Sequence, residues 1–363
     1  MNNFSVNIII AGGKTGGHLF PGIAIAQALI RKEKNARILF VGTGEEFEVS
    51  TLERYGFMHT RISSAGIKGK SIKGKLFSLV QIPVSVIQSI KIIKKFRPGA
   101  VLGVGGYSSG PVLLAARFLG VMTAIHEQNT VPGITNRILS GFVHVIFTSF
   151  KNTKGFASKK NMFYTGNPIR RMPELMAQAS QEPDVSGKDK FTILVTGGSQ
   201  GASSINRAFT GALKLMDNPE DFKIIHQTGK LDEKKVVEEY EKMGLTSFSD
   251  LSLGMPAVKA FFHDIPSLQA MADLIISRAG AGTISEITAK GKPCILVPYP
   301  YAADDHQRYN AKSLADDGAA FMIPDRDLSP ELLMEKILFC KNNPQKLSLM
   351  AGAAKRLSMP MAD

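Results

Sequence analysis

The chain has little cysteine: Cys294 and Cys340 are the two in 363 residues, far apart and without metal-type spacing. That excludes a disulfide framework and a cysteine zinc site, and points to a reducing compartment. Acid is scarce over a long stretch, since Glu127 is the one acidic residue between Arg54 and Arg171. The first strand run carries neither a charged n-region nor a small-residue cleavage site, so no secretion signal is expected. The apolar stretch near 76–93 is broken by Gln81, Pro83, Ser85, Gln88 and Ser89, which excludes a transmembrane span there. No G-x-G-x-x-G follows any strand run, so a nicotinamide or flavin site lacks its fingerprint. Gly13-Lys14-Thr15 ends like a P-loop, but Ile8 stands where that motif needs its first Gly. No pair among the seven histidines has helical metal-ligand spacing. Asp325-Arg-Asp327 runs into Ser329-Pro330, a helix start, and reads as a solvated turn. Neither a metal nor a cofactor is expected.

The charge that is present is uneven. Residues 1–165 hold 21 Lys/Arg against 6 Asp/Glu, a net of +15, whereas 166–363 hold 23 against 25, a net of −2. A basic half beside a neutral one implies an anionic partner on one side only. Nucleic acid and an anionic membrane both fit the charge. The half has few interleaved aromatics and no nucleic-acid motif, so nucleic acid is not expected.

Apolar, β-rich runs alternate with helix-period stretches throughout, the pattern of α/β units with parallel sheets. Strand runs fall at 6–11, 36–42, 100–104, 122–126 and 144–147, then at 192–196, 223–227, 274–277, 294–297 and 320–323. Helices are expected at 21–32, 203–216 and 283–290. The reading is two domains, 1–165 and 166–343, with a final helix in 344–363 that could pack on either. Residues 66–97 form a basic, apolar segment with Leu76, Leu79, Val86, Ile90 and Ile93 at helical spacing and Pro83 as a kink or restart. It reads as a core-facing amphipathic helix, as an anionic-lipid surface, or as both.

Two segments share one plan. Asn7-Ile-Ile-Ile-Ala-Gly-Gly-Lys-Thr-Gly-Gly-His18 and Phe191-Thr-Ile-Leu-Val-Thr-Gly-Gly-Ser-Gln-Gly-Ala202 each run a buried strand into a glycine-rich loop and a helix. Such a turn aims backbone N–H groups at one spot, a geometry suited to phosphate. Further loops follow strands at Gly105-Gly-Tyr-Ser-Ser-Gly-Pro111, His126-Glu-Gln-Asn129, Arg278-Ala-Gly-Ala-Gly-Thr-Ile-Ser-Glu286 and Ala303-Asp-Asp-His-Gln-Arg-Tyr-Asn310. Open α/β sheets bind ligands at these carboxyl ends.

Thr15-Gly-Gly-His18, Gly105-Gly-Tyr-Ser-Ser-Gly-Pro111, His126-Glu-Gln-Asn129, Gly166-Asn-Pro168, Gly197-Gly-Ser-Gln-Gly-Ala202, Ser285-Glu-Ile287 and Asp304-Asp-His-Gln307 occur in order. Together they closely resemble, over essentially the whole chain, the bacterial N-acetylglucosaminyltransferases of glycosyltransferase family 28 that make lipid II. The resemblance implies an α/β GT-B fold, two Rossmann-like domains with parallel sheets facing across a cleft. It implies metal-independent, inverting transfer from UDP-GlcNAc to lipid I by a peripheral enzyme at the cytoplasmic face of the bacterial inner membrane. It sets Lys14 where the family usually has Gly, and His306 where some members have paired glutamines. Other GT-B UDP-sugar transferases, a UDP-GlcNAc epimerase and an inactive lipid-binding homologue are the rival readings.

By the same resemblance, His18 handles the acceptor hydroxyl proton, a role suited to a His near neutral pH, although it could equally brace the loop. His126 and Glu127 fall near the acceptor. Glu127 could instead pair with one of the many nearby cations. Donor contacts are expected from Thr15, Gly16, Gly17, Asn129, Arg170, Ser199, Phe262, Ala281, Gly282, Thr283, Ile284, Ser285, Glu286 and Gln307. Glu286 would bind ribose hydroxyls, but Thr283-Ile-Ser-Glu286 also fits a capping box. Phe262 would line the uracil site or simply pack in the core. Tyr107 and Ser109 are acceptor-site candidates.

Overall fold

Three isoleucines in succession open the first strand, and a β-branched run of this kind suits a strand buried on both faces. In the computed structural model Asn7–Gly12 forms β1. Its two-residue alternation sends Ile9 and Ala11 into one apolar cluster and Ile10 into another on the opposite face. The structure describes residues 6–13, 15–64, 72–157, 161–169, 190–198, 200–245, 256–262, 264–359 and 362, with 72–80 given by backbone alone. Two units divide the chain: Met1–Arg171 with Met359–Asp363, and Met172–Ser358.

In the first unit β1 is followed by α1 (Gly16–Lys32), β2 (Arg37–Gly42), α2 (Glu46–Arg54), β3 (Met58–Arg61) and α3 (Ile72–Phe96). Next come β4 (Ala100–Gly105), α4 (Ser109–Phe118), β5 (Met122–Glu127), α5 (Ile134–Leu139), β6 (Val145–Thr148) and β7 (Met162–Tyr164). The seven strands lie in the order β3-β2-β1-β4-β5-β6-β7, every pair parallel. Helices on both faces bury the sheet, with Leu19 and Ile23 of α1 on one side and Val112 and Leu113 of α4 on the other. The order reverses between β1 and β4, which makes their carboxyl ends the switch point where such sheets take ligands. α3 runs unbroken through Pro83.

The second unit repeats the plan with β8 (Phe191–Thr196), α6 (Ser203–Lys214), β9 (Phe222–Gln227), α7 (Glu233–Lys242), β10 (Ala257–Lys259), α8 (Ile265–Met271) and β11 (Leu274–Ser277). It continues with α9 (Ala281–Lys290), β12 (Cys294–Leu296), α10 (His306–Asp316), β13 (Ala320–Met322), α11 (Pro330–Asn342) and α12 (Pro344–Leu357). The parallel order is β10-β9-β8-β11-β12-β13, with its switch between β8 and β11. One core joins Ile193 and Val195 of β8 to Ile205 and Phe209 of α6 and Leu333 and Ile337 of α11. α12 packs on α9, where Lys355 Nζ donates to Ala289 O at 2.6 Å.

Three short strands escape the sequence reading: β3, β7 and β10. Each is three or four residues long and sits at a sheet edge; β3 and β7 fully bury none of their side chains, and β10, with only Ala257 and Val258 buried, is too short to show an apolar run. Two helices begin earlier than expected, α1 at Gly16 and α9 at Ala281. Ser329 does cap α11, its Oγ accepting from Leu332 N at 3.2 Å, with Pro330 first in the helix.

Candidate active site

The switch point of the first unit is built from backbone that comes unusually close. Gly105 has φ +99°, and a Cβ there would lie 2.7 Å from His18 Nδ1. Ser109 Oγ is 2.8 Å from Ala11 O and 2.9 Å from Gly105 O, tying β1 to β4. Because Ser109 is fully buried in this position, it braces the loop and does not present its hydroxyl to an acceptor. Tyr107 beside it is half-buried. α1 opens with Gly16, Gly17 and His18, and the exposed Thr15 stands at its N-cap. The His18 and Leu19 amides both bond Thr15 O, at 3.0 and 2.9 Å.

β5 delivers His126, Glu127, Gln128 and Asn129, and strand alternation sorts them. His126 and Gln128 turn to one side. His18 Nδ1 lies 3.0 Å from Gln128 Oε1. Gln128 Nε2 lies 3.0 Å from Val104 O and 3.1 Å from His126 Nδ1. His126 Nε2 is 3.2 Å from Gly166 O. Burial is the main cause that pushes the His126 pKa down to about 4, against a raising effect of the Gly166 carbonyl and with a further lowering from His18. His126 is therefore neutral at pH 7, and being 2% exposed it is a packed brace.

Glu127 turns to the other side and is 1% exposed. Its Oε1 accepts from Asn129 N at 3.0 Å and Asn129 Nδ2 at 3.3 Å. Its Oε2 accepts from Gly133 N at 3.2 Å and Asn136 Nδ2 at 2.9 Å. All four donors are neutral, so the carboxylate organises the 129–136 loop and the entry to α5. The cation pairing considered from sequence is not what these four bonds show. Of the three residues expected to be catalytic, His18 alone is partly open to solvent.

In the second unit the glycine loop after β8 is held from below by Gln227. Its Nε2 donates to Gly198 O at 3.0 Å and Thr196 Oγ1 at 3.2 Å, while its Oε1 accepts from Phe262 N at 2.9 Å. Phe262 is thereby fixed near this loop, 8% exposed, with Lys259 Nζ 5.7 Å from its ring centre. Gly201 has φ +78°, and a Cβ there would sit 2.1 Å from Thr228 O. Only glycine lets those two loops meet. Below them the buried His226 bonds Tyr240 Oη and Asn206 Oδ1, each at 3.1 Å.

The capping-box alternative for Glu286 is overturned. Gly280 is the N-cap of α9, Thr283 lies inside the first turn, and Glu286 is the sixth helical residue. Its Oε2 accepts from Gln269 Nε2 at 3.1 Å, and the side chain is half-buried. Ala281, Gly282, Thr283, Ile284 and Ser285 form the opening turn and the start of the next, where the first amides have no intrahelical acceptor. Ala281 and Ile284 are buried, so backbone is what they can offer a ligand. Arg278 bonds Asp325, Ser204 Oγ and the carbonyls of Val297 and Pro298, tying α6 to the 297–299 loop. Asp325 is thus an ion-pair partner, not a solvated acid. Gln307 Oε1 accepts from Tyr299 N at 3.0 Å, which leaves its Nε2 as the donor end. Two left-handed residues, Asp304 and Asp305 (φ +53° each), turn the chain just before it. Asn310 is fully buried, with Nδ2 3.2 Å from Ala279 O.

Lys14, Arg170, Ser199 and residues 65–71 lie outside the described residues. Among the described residues no cluster of three or more His, Cys, Asp or Glu could hold a metal ion. Sequence reasoning missed Gln128 and Gln227 as site residues. The signal was there in the period of two, which puts Gln128 on the same side as His126 at a strand's carboxyl end.

Residues 8–148 match the glycosyltransferase family 28 N-terminal domain, and residues 192–362 match the C-terminal domain of the same family. The chain belongs to glycosyltransferase family 28. It is 43% identical over 355 residues to the UDP-N-acetylglucosamine–N-acetylmuramyl-(pentapeptide) pyrophosphoryl-undecaprenol N-acetylglucosamine transferase of Syntrophus aciditrophicus, covering 97% of this chain and 94% of that one. The enzyme of the same name from Geobacter sulfurreducens is 42% identical with the same coverage. The crystal structure of Acinetobacter baumannii MurG superposes with a TM-score of 0.77 at 31% identity, covering 98% of this chain and 96% of that one. The pair of Rossmann-like units is therefore the GT-B fold, and this family 28 member is a glycosyltransferase.

Proposed function

We propose that the enzyme transfers N-acetylglucosamine from UDP-GlcNAc to the C4 hydroxyl of the muramyl unit of lipid I, giving lipid II and UDP, with inversion and without a bound metal. The observation that carries the mechanism is the His18 ring: half-exposed at the β1/β4 switch point and held at Nδ1 by buried Gln128. His18 Nε2 takes the acceptor proton as O4 forms its bond to C1 of the sugar. The bond from C1 to the diphosphate oxygen breaks, and its electron pair leaves with UDP.

The second unit supplies the donor groups. The amides of the loop after β8 and of the first turn of α9 meet the diphosphate, where helix dipoles favour negative charge. Glu286 accepts from ribose hydroxyls, Gln307 Nε2 donates to the sugar, and Phe262 lines the uracil. Asn129, Thr15, Gly16 and Gly17 serve the sugar side, and Tyr107 the acceptor. Arg170 and Ser199 complete the diphosphate contacts in this reading.

Lipid I brings the enzyme to an anionic membrane surface, and the reading is of a peripheral enzyme at its cytoplasmic face. Among the described residues no helix is long and apolar enough to cross a membrane. The first unit exposes Val84 and Ile87 on α3, Leu114 and Phe118 on α4, Ile134 and Ile138 on α5, and Phe142 beyond it. Arg117 Nε bonds Phe142 O at 3.1 Å, joining the end of α4 to that last residue. Exposed Lys91, Lys94, Lys95 and Arg97 follow on α3 and just past it, and each basic residue near an anionic surface contributes about 1 kcal/mol.

The test mixes UDP-GlcNAc with a lipid I analogue and follows UDP release. Acceptor-dependent release, lost in His18→Gln, is expected. Release without acceptor, or none with it, refutes the assignment.

A further inference from the structure

The hydrogen bonds around Gln128 leave its amide a single orientation. Val104 O is a carbonyl and can only accept, so the NH2 group must face it. His126 Nδ1, 3.1 Å away, and His126 O, 3.2 Å away, lie on that same NH2 side. Gln128 Oε1 must then be the atom 3.0 Å from His18 Nδ1, and an amide oxygen can only accept. The far end is fixed in the same way. Gly166 O can only accept, so His126 carries its proton on Nε2 and offers Nδ1 as an acceptor to Gln128. A chain of three side chains is thus anchored at two backbone carbonyls, Val104 O at Gln128 and Gly166 O at His126, and one proton arrangement satisfies every member.

We propose that Gln128 is a positioning residue that holds neutral His18 in its Nδ1–H tautomer, so that the Nε2 lone pair is the one turned to the acceptor hydroxyl. The proposal rests on His18 being the base. Burial suits Gln128 to this role, since at 1% exposure its oxygen has no water to exchange for the imidazole. Gly105 completes the seat, because a Cβ there would strike the same Nδ1 edge of the ring. His126 contributes by staying uncharged, since a proton on its Nδ1 would point at the Gln128 NH2 group.

The test reads the tautomer directly in protein labelled with 15N-histidine, with the His18 signals assigned by their loss in His18→Gln. Wild-type enzyme is expected to show a pyrrole-type Nδ1 and a pyridine-type Nε2. Gln128→Met keeps the length but offers no acceptor. It is expected to shift His18 toward the Nε2–H form and lower kcat by about 10- to 100-fold, with KM for UDP-GlcNAc within about twofold. A pyrrole-type Nε2 in wild-type enzyme overturns the proposal, and that spectrum decides the matter even if the variant does not fold. Wild-type kcat in Gln128→Met, or a kcat loss with the tautomer unchanged, also overturns it. Failure of the base assignment looks different: His18→Gln then keeps full turnover, whatever Gln128→Met does.

Discussion

Replacing Glu127 by Gln separates a chemical role from an architectural one. The two carboxylate oxygens receive four hydrogen bonds, two each, in a site 1% exposed. Glutamine keeps one oxygen and puts an NH2 group where the other stood. Whichever way the amide turns, two buried donors lose their acceptor and face another donor. Hydrogen bonds to a charged group contribute about 1.5–3 kcal/mol each, and an unsatisfied buried donor costs about 1–3 kcal/mol. Allowing for relaxation of the 129–136 loop, the expected loss is about 3–4 kcal/mol. For a unit of this size each kcal/mol moves Tm by about 2–4 °C, so its melting transition should fall on the order of 10 °C. Scanning calorimetry measures the transition, and UDP release well below it measures kcat, which should stay within about tenfold of wild type if the carboxylate only braces. A variant with unchanged Tm and kcat lowered about a thousandfold would refute the reasoning and make Glu127 a reacting group.

Glu286→Gln should lower kcat/KM for UDP-GlcNAc about 10- to 100-fold through KM, while Tm stays within about 2 °C because no helix cap is lost; a Tm loss with unchanged KM would reverse the assignment. Buried neutral histidines set the acid limit: the pKa of His126 lies near 4 and that of His226 near 3, both lowered mainly by burial from a usual 6.5. The unfolded chain takes up these protons near pH 6.5 and the folded chain does not, so their contribution is full above pH 6.5 and is lost as pH falls through about 4 for His126 and about 3 for His226. Urea titration at pH 7 and pH 4 should show each unit losing on the order of 3 kcal/mol from its buried histidine. Gly201→Ala places a Cβ 2.1 Å from Thr228 O at a positive φ. It should therefore raise KM for UDP-GlcNAc at least tenfold as well as lower Tm, whereas Gly56→Ala, also at positive φ but with nothing within 4 Å, should cost only about 1–2 kcal/mol. Phe118→Asp, at a residue 82% exposed, should weaken sedimentation with anionic vesicles while sparing turnover on a water-soluble acceptor analogue.

The central strands were legible because β1, β4, β8 and β11 bury both faces, and such strands are written almost entirely in apolar or small residues. Edge strands such as Met58–Arg61 face the core with too few residues to leave a pattern. Helix starts misled for a different reason. Pro21 looks like a first helical residue, yet α1 begins at Gly16 and Pro21 sits inside it. The amide that proline lacks would have bonded Gly17 O, and Gly17 is exposed, so the gap costs little. In the site, the loops and His18 could be found from glycine spacing. The alternation of His126, Glu127 and Gln128 could be read from the period of two, but their roles could not, because these depend on which carbonyls stand beside β5, and Val104 and Gly166 come from distant parts of the chain. An isolated acid in a basic stretch suggested chemistry or a cation; only tertiary contacts reveal four neutral donors around it.

Neutral amides recur among the fastenings of loops in both units. Gln128 bonds Val104, Gln227 grips the Gly198 loop, Asn206 holds Thr228 O, and Asn310 lies against Ala279 O. Amides neither titrate nor attract counterions, so these fastenings add almost no field of their own. Ionic strength should then act on how fast charged substrates and membranes arrive, and leave these amide fastenings of the loops that receive them untouched.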